Sequence, residues 1–183
     1  HVLPGMMRKM HLAHCLETND WAAIRHDFAK LPVVEINDDS SEEAILGFMA
    51  EQGITRDESG KVSLTLWGTG TPLREFLHVT DMADACVHVM ENVDFDDLKP
   101  RDSKEVRNTH INIGSGKEVT IKQLAELIKS VTGFGGNLLF DPAKPDGTMR
   151  KLLDVSKLDK LGWKSKIELA EGVAKVYEGY KLH

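Results

Sequence analysis

The chain has 183 residues, of which 41% are hydrophobic, and a formal net charge of -6 at pH 7. This length and composition suffice to bury the core of one domain, or of a large piece of one. The acidic balance argues against broad binding to nucleic acid or to anionic membranes, because both require a surface rich in lysine and arginine. Any phosphate that the chain binds is therefore expected to be held locally.

The sequence indicates a cytoplasmic protein. No apolar run approaches the roughly 18 residues that span a bilayer, and the N-terminus lacks the basic and apolar pattern of a signal peptide. Cys15 and Cys86 have no CxxC spacing, so we expect both to be reduced thiols. Because the chain begins with His1 rather than methionine, we expect a fragment of a longer protein.

The first 61 residues are predicted to be helical. Apolar residues at helical spacing indicate a first helix to about Leu16 and a second over residues 21–31. Ser40 or Ser41 can cap a third helix, which Gly53 would end. We expect these segments to form an all-helical cap.

Strands begin after this cap. Alternating residues predict a strand over 62–67, closed by a glycine turn, and a second short strand over 76–79. Thr80 or Asp81 is expected to cap a helix that continues to about Asn92. The order of strand, turn, strand and helix is typical of an α/β fold.

The middle of the chain alternates loops with regular elements. Residues 93–109 are charged, without a period, and are predicted to form a surface loop. A short strand is expected over 110–113. Thr120 and Gln123 have the spacing of a capping box, which predicts a helix ending at Gly133.

The last third adds one strand and two helices. A strand is expected over 138–140, and Asp154 or Ser156 can cap a helix that Gly162 stops. A final helix is predicted over 169–180. The whole is an α/β or α+β domain with too few strands for a complete dinucleotide-binding sheet.

The turn Gly114-Ser-Gly116-Lys117 suggests a phosphate loop, but its spacing is wrong. A Walker motif would require glycine where Ile111 stands. A dinucleotide fingerprint would require glycine where Val119 stands. We therefore interpret the segment as a tight turn and expect no cofactor phosphate site in the chain.

His11, His14 and Cys15 have the i, i+3 and i+4 spacing that could hold zinc on one helix face. A fourth ligand with suitable spacing is absent from the sequence. A satisfied histidine beside a buried thiol on an amphipathic helix is the better interpretation. We expect no metal site.

Trp67 and Arg74 flank the glycine turn. Trp67 is either a core residue at a strand end or an aromatic plate beside a sugar or base. Arg74 can chelate a pyrophosphate bidentately or form an ion pair with Glu75 or Asp81. The residues alone leave both alternatives open.

The loop over 144–154 is proline- and glycine-broken and strongly charged. Lys144, Arg150 and Lys151 can surround an anion, while Asp146 offers acceptors to hydroxyl or amine donors. A plain solvated loop is the alternative. A cationic loop in an acidic chain suggests local binding of a phosphorylated ligand.

Five motifs occur in order: Trp67-Gly-Thr-Gly-Thr-Pro, Arg74-Glu-Phe-Leu-His-Val, Asn112-Ile-Gly-Ser-Gly, Val119-Thr-Ile and Lys144-Pro-Asp-Gly-Thr-x-Arg-Lys-Leu-Leu-Asp. With them the chain resembles the GDP-L-fucose synthase family of extended short-chain dehydrogenase/reductases. The resemblance implies NADPH-dependent conversion of GDP-4-keto-6-deoxy-D-mannose to GDP-L-fucose, by epimerisation at C3 and C5 and reduction at C4.

The resemblance also implies that residues 1–183 are the C-terminal, substrate-binding portion of such an enzyme. This α/β (α+β) fragment lacks most of the Rossmann sheet and the glycine-rich NADP fingerprint, so NADP is expected only in the full-length enzyme. Residues 16–61 are longer than the family's usual link, which predicts a helical insertion that shapes a lid or an interface. A homodimer is expected for the full-length enzyme.

Site residues follow from the same resemblance. His1 matches the catalytic histidine, which is the acid in epimerisation and lies near the nicotinamide of the cofactor. The predicted substrate contacts are Lys9, Trp67, Arg74, Asp146 and Lys151. Lys9 stands where the family commonly has arginine, and it supplies a point charge rather than a bidentate fork.

Two other functions remain possible from the sequence. One is a stand-alone module that binds nucleotide sugars and has no reductase half. The other is an epimerase or dehydratase of the same superfamily that acts on another sugar. The enzyme-portion hypothesis predicts that the chain binds a GDP-sugar but does not oxidise NADPH by itself.

Overall fold

The computed structural model describes residues 1–33, 36–99 and 105–182. The chain divides into two compact units. The first unit comprises His1–Pro72 and Thr120–Gly147, and the second comprises Leu73–Val119 and Thr148–His183. Within the described ranges, no helix is both long and apolar enough to cross a membrane.

The helices and strands alternate along the chain. The helices are α1 (Val2–Glu17), α2 (Trp21–Lys30), α3 (Glu42–Glu51), α4 (Val79–Asn92), α5 (Phe95–Leu98), α6 (Ile121–Thr132), α7 (Ser156–Lys160) and α8 (Leu169–Leu182). The strands are β1 (Ile54–Arg56), β2 (Val62–Trp67), β3 (Leu73–Glu75), β4 (Glu118–Thr120), β5 (Asn137–Asp141) and β6 (Arg150–Lys151). The mixed α/β fold predicted from the sequence is confirmed, because it matches part of an epimerase/reductase fold with small sheets.

The first unit is a three-stranded sheet with helices packed on it. Its strand order is β1-β2-β5, with β1 antiparallel and β5 parallel to β2. Leu64, at the centre of β2, pairs with Ile54 on one side and Leu138 on the other. Helix α1 contacts β2, α2 and α6, so its buried Met10 and Leu16 belong to this core.

The predicted capping box of α6 is confirmed. The Thr120 hydroxyl accepts from the Gln123 amide at 3.0 Å, and the Gln123 side chain accepts from the Thr120 amide at 2.8 Å. Gly133 ends the helix with φ +76°, a left-handed conformation that glycine adopts without steric cost. Ser41 likewise caps α3, as predicted.

The second unit holds the other small sheet, of order β4-β3-β6, and α4. Ala85 of α4 packs in a buried cluster with Leu158 and Trp163. Asp81, also buried, accepts hydrogen bonds from the backbone amides of Lys166 and Ile167 at 2.9 and 2.8 Å. These contacts fix the inner side of α4 against the chain that precedes α8.

Three predicted elements are wrong in position or type. Residues 110–113 form no strand, and the His110 carbonyl accepts instead from the Lys157 ammonium at 2.8 Å. The strand predicted at 76–79 lies instead at Leu73–Glu75, where β6 offers a parallel partner. The N-terminal cap is not all helical, since β1 pairs with β2.

Helix α4 also begins differently from the prediction. Its N-cap is His78, whose Nδ1 accepts from the Thr80 amide at 3.2 Å, rather than Thr80 or Asp81. A histidine acceptor satisfies the same free amide that a serine or aspartate usually satisfies. The predicted end of the helix at Asn92 is confirmed.

Candidate functional site

The turn that follows β2 is held by one carboxylate from a distant loop. Asp146 accepts from the Thr69 amide at 2.9 Å and from the Thr69 hydroxyl at 2.7 Å. Gly68 has φ +83°, and an added Cβ there would lie within 3.0 Å of the Asp146 carboxylate. Glycine is therefore required at position 68 both for its backbone conformation and for the approach of Asp146.

We call Trp67, Gly68, Thr69, Lys144 and Asp146 the glycine-turn cluster; all five belong to the first unit. Trp67 ends β2 with 67% of its surface exposed, so the strand-end core interpretation is wrong. The Lys144 ammonium lies 5.4 Å from the centroid of the Trp67 ring, in cation–π geometry. An exposed indole beside a cation suits a planar ligand that carries negative charge.

Asp146 has a structural role that the sequence did not reveal. Both of its oxygens bond to Thr69, 77 residues earlier in the chain. A carboxylate offers about four acceptor positions, so each oxygen retains room for a further donor. The predicted contact between Asp146 and a substrate hydroxyl or amine therefore stays a prediction.

Two cations lie side by side in the second unit. Arg74 of β3 and Lys151 of β6 are direct partners in a parallel pair, which places their side chains on the same face of the sheet. The Arg74 guanidinium donates to the Leu73 carbonyl at 2.7 Å. Over residues 1–33, 36–99 and 105–182, neither cation forms an ion pair, so the alternative of a salt bridge with Glu75 or Asp81 is wrong.

Like charges directly opposite each other destabilise a sheet. The neighbouring Arg150 shows the contrast, because Glu118 receives two hydrogen bonds from its guanidinium, at 2.8 and 2.7 Å. This contact lowers the pKa of Glu118 and raises that of Arg150. Arg150 is therefore neutralised, whereas Arg74 and Lys151 together retain two positive charges for an anion.

The turn Gly114-Ser-Gly116 holds a carboxylate of its own chain. Glu75 Oε1 accepts from the Gly116 amide at 2.7 Å, and Oε2 accepts from the Leu153 amide at 3.0 Å. An added Cβ at Gly114 would also lie within 3.0 Å of Glu75. The Gly116 amide, which could help to cradle a phosphate, is therefore occupied by Glu75.

The turn at 114–116 thus does not fit the phosphates of a dinucleotide cofactor. The turn at 114–116 has the wrong spacing and already binds Glu75. His1, the residue expected near a nicotinamide, is exposed and precedes α1 without a side-chain capping bond. We assign no step of hydride transfer to the residues of this chain.

Lys9 lies in a cavity of about 380 Å³ in the first unit, whose walls include neither Trp67 nor Asp146. The cavity is lined on the far side by Phe48 and Met49 of α3. Burial lowers the pKa of the Lys9 ammonium, because the apolar walls disfavour its charged form. An anion entering this cavity would offset that cost.

His11, His14 and Cys15, the candidate zinc ligands, do not have the geometry of a metal site. The Cys15 thiol lies 3.6 Å from Nε2 of His11, while Nδ1 of His14 lies 4.0 Å from Glu17. Among the residues that the structure describes, no group of three or more histidine, cysteine, aspartate or glutamate side chains could hold a metal ion.

The two cysteines are expected to differ strongly in reactivity. Burial, with Asp20 and Asp27 nearby, raises the pKa of Cys15 to about 12, so at pH 8 only about one thiol in 10,000 is ionised. Cys86 is exposed. Brief maleimide treatment of the native chain should give one adduct by intact mass, at Cys86, and the unfolded chain should give two. Two adducts on the native chain would contradict this assignment.

Comparison with known proteins relates the chain to part of a class of enzyme. Residues 42–114 match the NAD dependent epimerase/dehydratase family. The fold is part of an extended short-chain dehydrogenase/reductase. The chain is homologous to part of the enzymes of this family, as the sequence motifs predicted.

Within that class, several of the similar proteins are GDP-sugar enzymes by name. Four curated relatives whose names include GDP-L-fucose synthase are 48% to 52% identical. One of them, GDP-L-fucose synthase 1 of Arabidopsis thaliana, is 50% identical over 122 residues, which cover 67% of this chain and 34% of that protein. The chain thus matches about a third of the length of these relatives.

Solved structures match over nearly the whole chain. A GDP-6-OMe-4-keto-L-xylo-heptose reductase from Campylobacter jejuni is 40% identical, with a TM-score of 0.83, over 99% of this chain and 47% of that one. MlghC, a GDP-mannoheptose C4 reductase from the same organism with NADP bound, is 38% identical, with a TM-score of 0.76, over 99% of this chain and 46% of that one.

Proposed function

We propose that the chain is the GDP-sugar-binding part of an epimerase and reductase that converts GDP-4-keto-6-deoxy-D-mannose to GDP-L-fucose. The unneutralised pair of Arg74 and Lys151 carries this proposal. A diphosphate supplies the two negative charges that the pair lacks, and a guanidinium binds phosphate oxygens bidentately. The names of the relatives supply the sugar, since nothing in the geometry alone selects it.

Each unit contributes its own proposed contacts. In the first unit these are Trp67 as an aromatic plate, Asp146 as an acceptor and Lys9 as a point charge. In the second unit they are Arg74 and Lys151. In the whole enzyme His1 is proposed as the acid of epimerisation, near the cofactor.

The proposed chemistry suits a histidine. The C4 ketone acidifies the protons at C3 and C5, so a base removes each proton and an acid returns one from the opposite face of the sugar. Histidine changes charge near neutral pH and can serve as that acid. NADPH would supply the hydride that reduces C4 in the whole enzyme. We therefore expect the chain alone to bind the GDP-sugar without oxidising NADPH.

We further propose a cytoplasmic location, a homodimeric full-length enzyme and an insertion over residues 16–61 that shapes a lid or an interface. The helical content of that segment, in α2 and α3, supports the last point. Phe48 and Met49 of α3 line the Lys9 cavity, so the segment already contributes to a ligand-sized space.

A second substrate, a GDP-heptose, is favoured by one observation. The Campylobacter reductase, a GDP-heptose enzyme by name, is 40% identical to this chain over 99% of its length. Comparing the affinity of the chain for GDP-L-fucose and for GDP-mannoheptose separates the two. Tighter binding of GDP-mannoheptose would assign the heptose and overturn the fucose proposal.

Arg74→Ala tests the cation pair. We expect the affinity for GDP-L-fucose to fall roughly 10- to 100-fold, because a charge-assisted hydrogen bond contributes about 1.5–3 kcal/mol. The affinity of Arg74→Lys for GDP-L-fucose should lie between those of the wild type and Arg74→Ala, since lysine keeps the charge but loses the bidentate geometry of the guanidinium. Quenching of the exposed Trp67 indole provides the measurement.

Lys175→Ala is the matched control in the same unit. Its ammonium pairs with Glu171 on the surface of α8, so the substitution should leave affinity unchanged. Unchanged affinity in Arg74→Ala, or an equal loss in both variants, would refute the role of the cation pair.

A further inference from the structure

The cavity that holds Lys9, which we call the Lys9 cavity, has apolar walls and two polar groups without a partner. Its volume of about 380 Å³ lies within the range of about 300–1,000 Å³ that ligand sites occupy. The apolar walls are Leu12, Val33, Phe48, Met49 and Ile54. The Lys9 ammonium and the Gln52 side-chain amide also line it, and within the described part of the chain neither group forms a hydrogen bond or an ion pair. A few polar groups converging in an apolar cavity are typical of a small-molecule site.

The third polar side chain of the cavity, Arg8, already has partners. Its guanidinium donates to the Asp27 carboxylate at 2.8 Å and to the Leu31 carbonyl at 2.7 Å. It also lies 5.4 Å from the centroid of the Phe28 ring, in cation–π geometry. These contacts with α2 and its C-cap fix α1 at the position next to Lys9. Of the two cations in the lining, Lys9 is therefore the one left for a ligand.

Burial makes the two unpaired groups unfavourable in the empty cavity. The apolar walls lower the pKa of the Lys9 ammonium, because they disfavour its charged form. A polar group that is withdrawn from water without a hydrogen bond costs free energy, which a ligand can offset. Lys9 comes from α1 and Gln52 from the C-cap of α3. Their convergence indicates a ligand with acceptors for the ammonium and donors for the amide oxygen.

A guanine base has this pattern of acceptors and donors. Its O6 and N7 atoms accept from a lysine ammonium, and its 2-amino group can donate to the Gln52 amide oxygen. Adenine carries an amino donor where guanine carries O6, so an ammonium there would meet a second donor. The Phe48 ring suits the flat face of the base, since bases stack on aromatic side chains. The lining of the cavity is thus complementary to guanine and less so to adenine.

The position of the cavity suits a base that is joined to a sugar. Ile54 of its wall pairs with Leu64, three residues before Trp67 on β2. At about 3.3 Å per residue, the Cα of Trp67 lies roughly 10 Å further along the strand. The ribose and the diphosphate of a GDP-sugar can span such a distance. A base in the cavity therefore leaves Trp67 as the aromatic plate beside the sugar.

We propose that the Lys9 cavity binds the guanine base of the GDP-sugar and that Gln52 is a residue that selects guanine over other bases. The proposal rests on the proposed function, because it assigns one part of the same substrate to this cavity. It also gives the segment over residues 16–61 a specific role. That segment supplies Gln52 and Phe48, and so it contributes to base recognition.

Calorimetric titration with GDP and with ADP tests the selection, since the two ligands carry the same ribose and diphosphate. We expect the wild-type chain to bind GDP roughly tenfold or more tightly than ADP, as a matched pair of contacts to a base edge allows. Gln52→Leu and Lys9→Met should each lower the affinity for GDP and reduce this preference. Glu51→Gln is the control, because Glu51 is exposed on α3 and does not line the cavity, so both affinities should be unchanged.

Two glycines test whether the base occupies the cavity. Gly5 lines it, whereas Gly47 of α3 does not. Both lie inside helices, and an added Cβ at either meets no described atom within 4 Å. Leucine favours a helix over glycine, so both variants should unfold in urea at no lower midpoint than the wild type. Gly5→Leu should narrow the cavity and weaken GDP binding roughly tenfold or more, and Gly47→Leu should bind GDP as the wild type does.

Several results would overturn the proposal. They are equal affinity of the wild type for GDP and ADP, an unchanged preference in Gln52→Leu, and unchanged GDP affinity in Gly5→Leu. GDP-L-fucose is titrated separately to distinguish the two proposals. A chain that binds GDP through Gln52 but does not bind GDP-L-fucose would refute only the proposed function. Binding of GDP-L-fucose that is insensitive to Gln52→Leu and Gly5→Leu would refute only the role of the cavity.

Discussion

Gly68→Ala is expected to weaken binding of GDP-L-fucose by roughly 100-fold or more. Several contacts would be lost together, and each loss of about 1.4 kcal/mol lowers the affinity about tenfold. A methyl group at position 68 would lie within 3.0 Å of the Asp146 carboxylate, and the φ of +83° disfavours any side chain. Asp146 would have to leave the turn and release both hydrogen bonds to Thr69. Calorimetric titration measures the loss.

Gly60→Ala is the matched control. Gly60 has a φ of +85°, so alanine is equally strained there, but an added Cβ would meet nothing within 4 Å. We expect Gly60→Ala to destabilise the chain by about 1–2 kcal/mol and to leave ligand affinity unchanged. If both variants lose affinity alike, backbone strain rather than the displacement of Asp146 is responsible, and the glycine-turn cluster loses its proposed role.

Gly136→Ala is expected to produce the largest loss of stability, about 2–4 kcal/mol. An added Cβ would lie within 3.0 Å of the Val62 carbonyl and of the Phe134 ring. The Val62 carbonyl is backbone at the start of β2, next to the parallel pair of β2 and β5. The Val62 backbone cannot move without displacing β2 from β5, so urea unfolding should show a lower midpoint.

Gly47→Ala should change the stability in the opposite direction and stabilise the chain. Gly47 lies exposed inside α3, and an added Cβ there meets nothing within 4 Å. Alanine in a helix interior is favoured over glycine by about 0.5–1 kcal/mol, so this variant should be more stable than the wild type. A Gly136→Ala variant as stable as the wild type would mean that β2 and β5 do not pack as described.

Features that depend on neighbouring residues could be predicted from the sequence. The capping box of Thr120 and Gln123 and the left-handed Gly133 are local, so their spacing sufficed to find α6. The alternation of residues 62–67 likewise identified β2. The motifs around Trp67 and Lys144 identified the class of enzyme that the comparisons confirm.

Features that depend on distant pairing could not be predicted. Strand β6 has two residues, so it has no periodicity, and it exists only because β3 lies beside it. Because β6 was not predicted, the predicted position of β3 was wrong as well. Glu75, whose carboxylate ties the 114–116 turn and Leu153 to β3, was considered only as an ion-pair partner of Arg74. In the sequence, the only indication of this role of Glu75 is that a charged residue accompanies two glycine-rich motifs.

The central claim is that this chain recognises a GDP-sugar, and calorimetric titration with GDP-L-fucose and with UDP-glucose tests it most directly. Our account predicts saturable binding of GDP-L-fucose that is clearly tighter than binding of UDP-glucose, with the difference reduced in Arg74→Ala. Equal affinity for the two nucleotide sugars, or binding of neither, would contradict it.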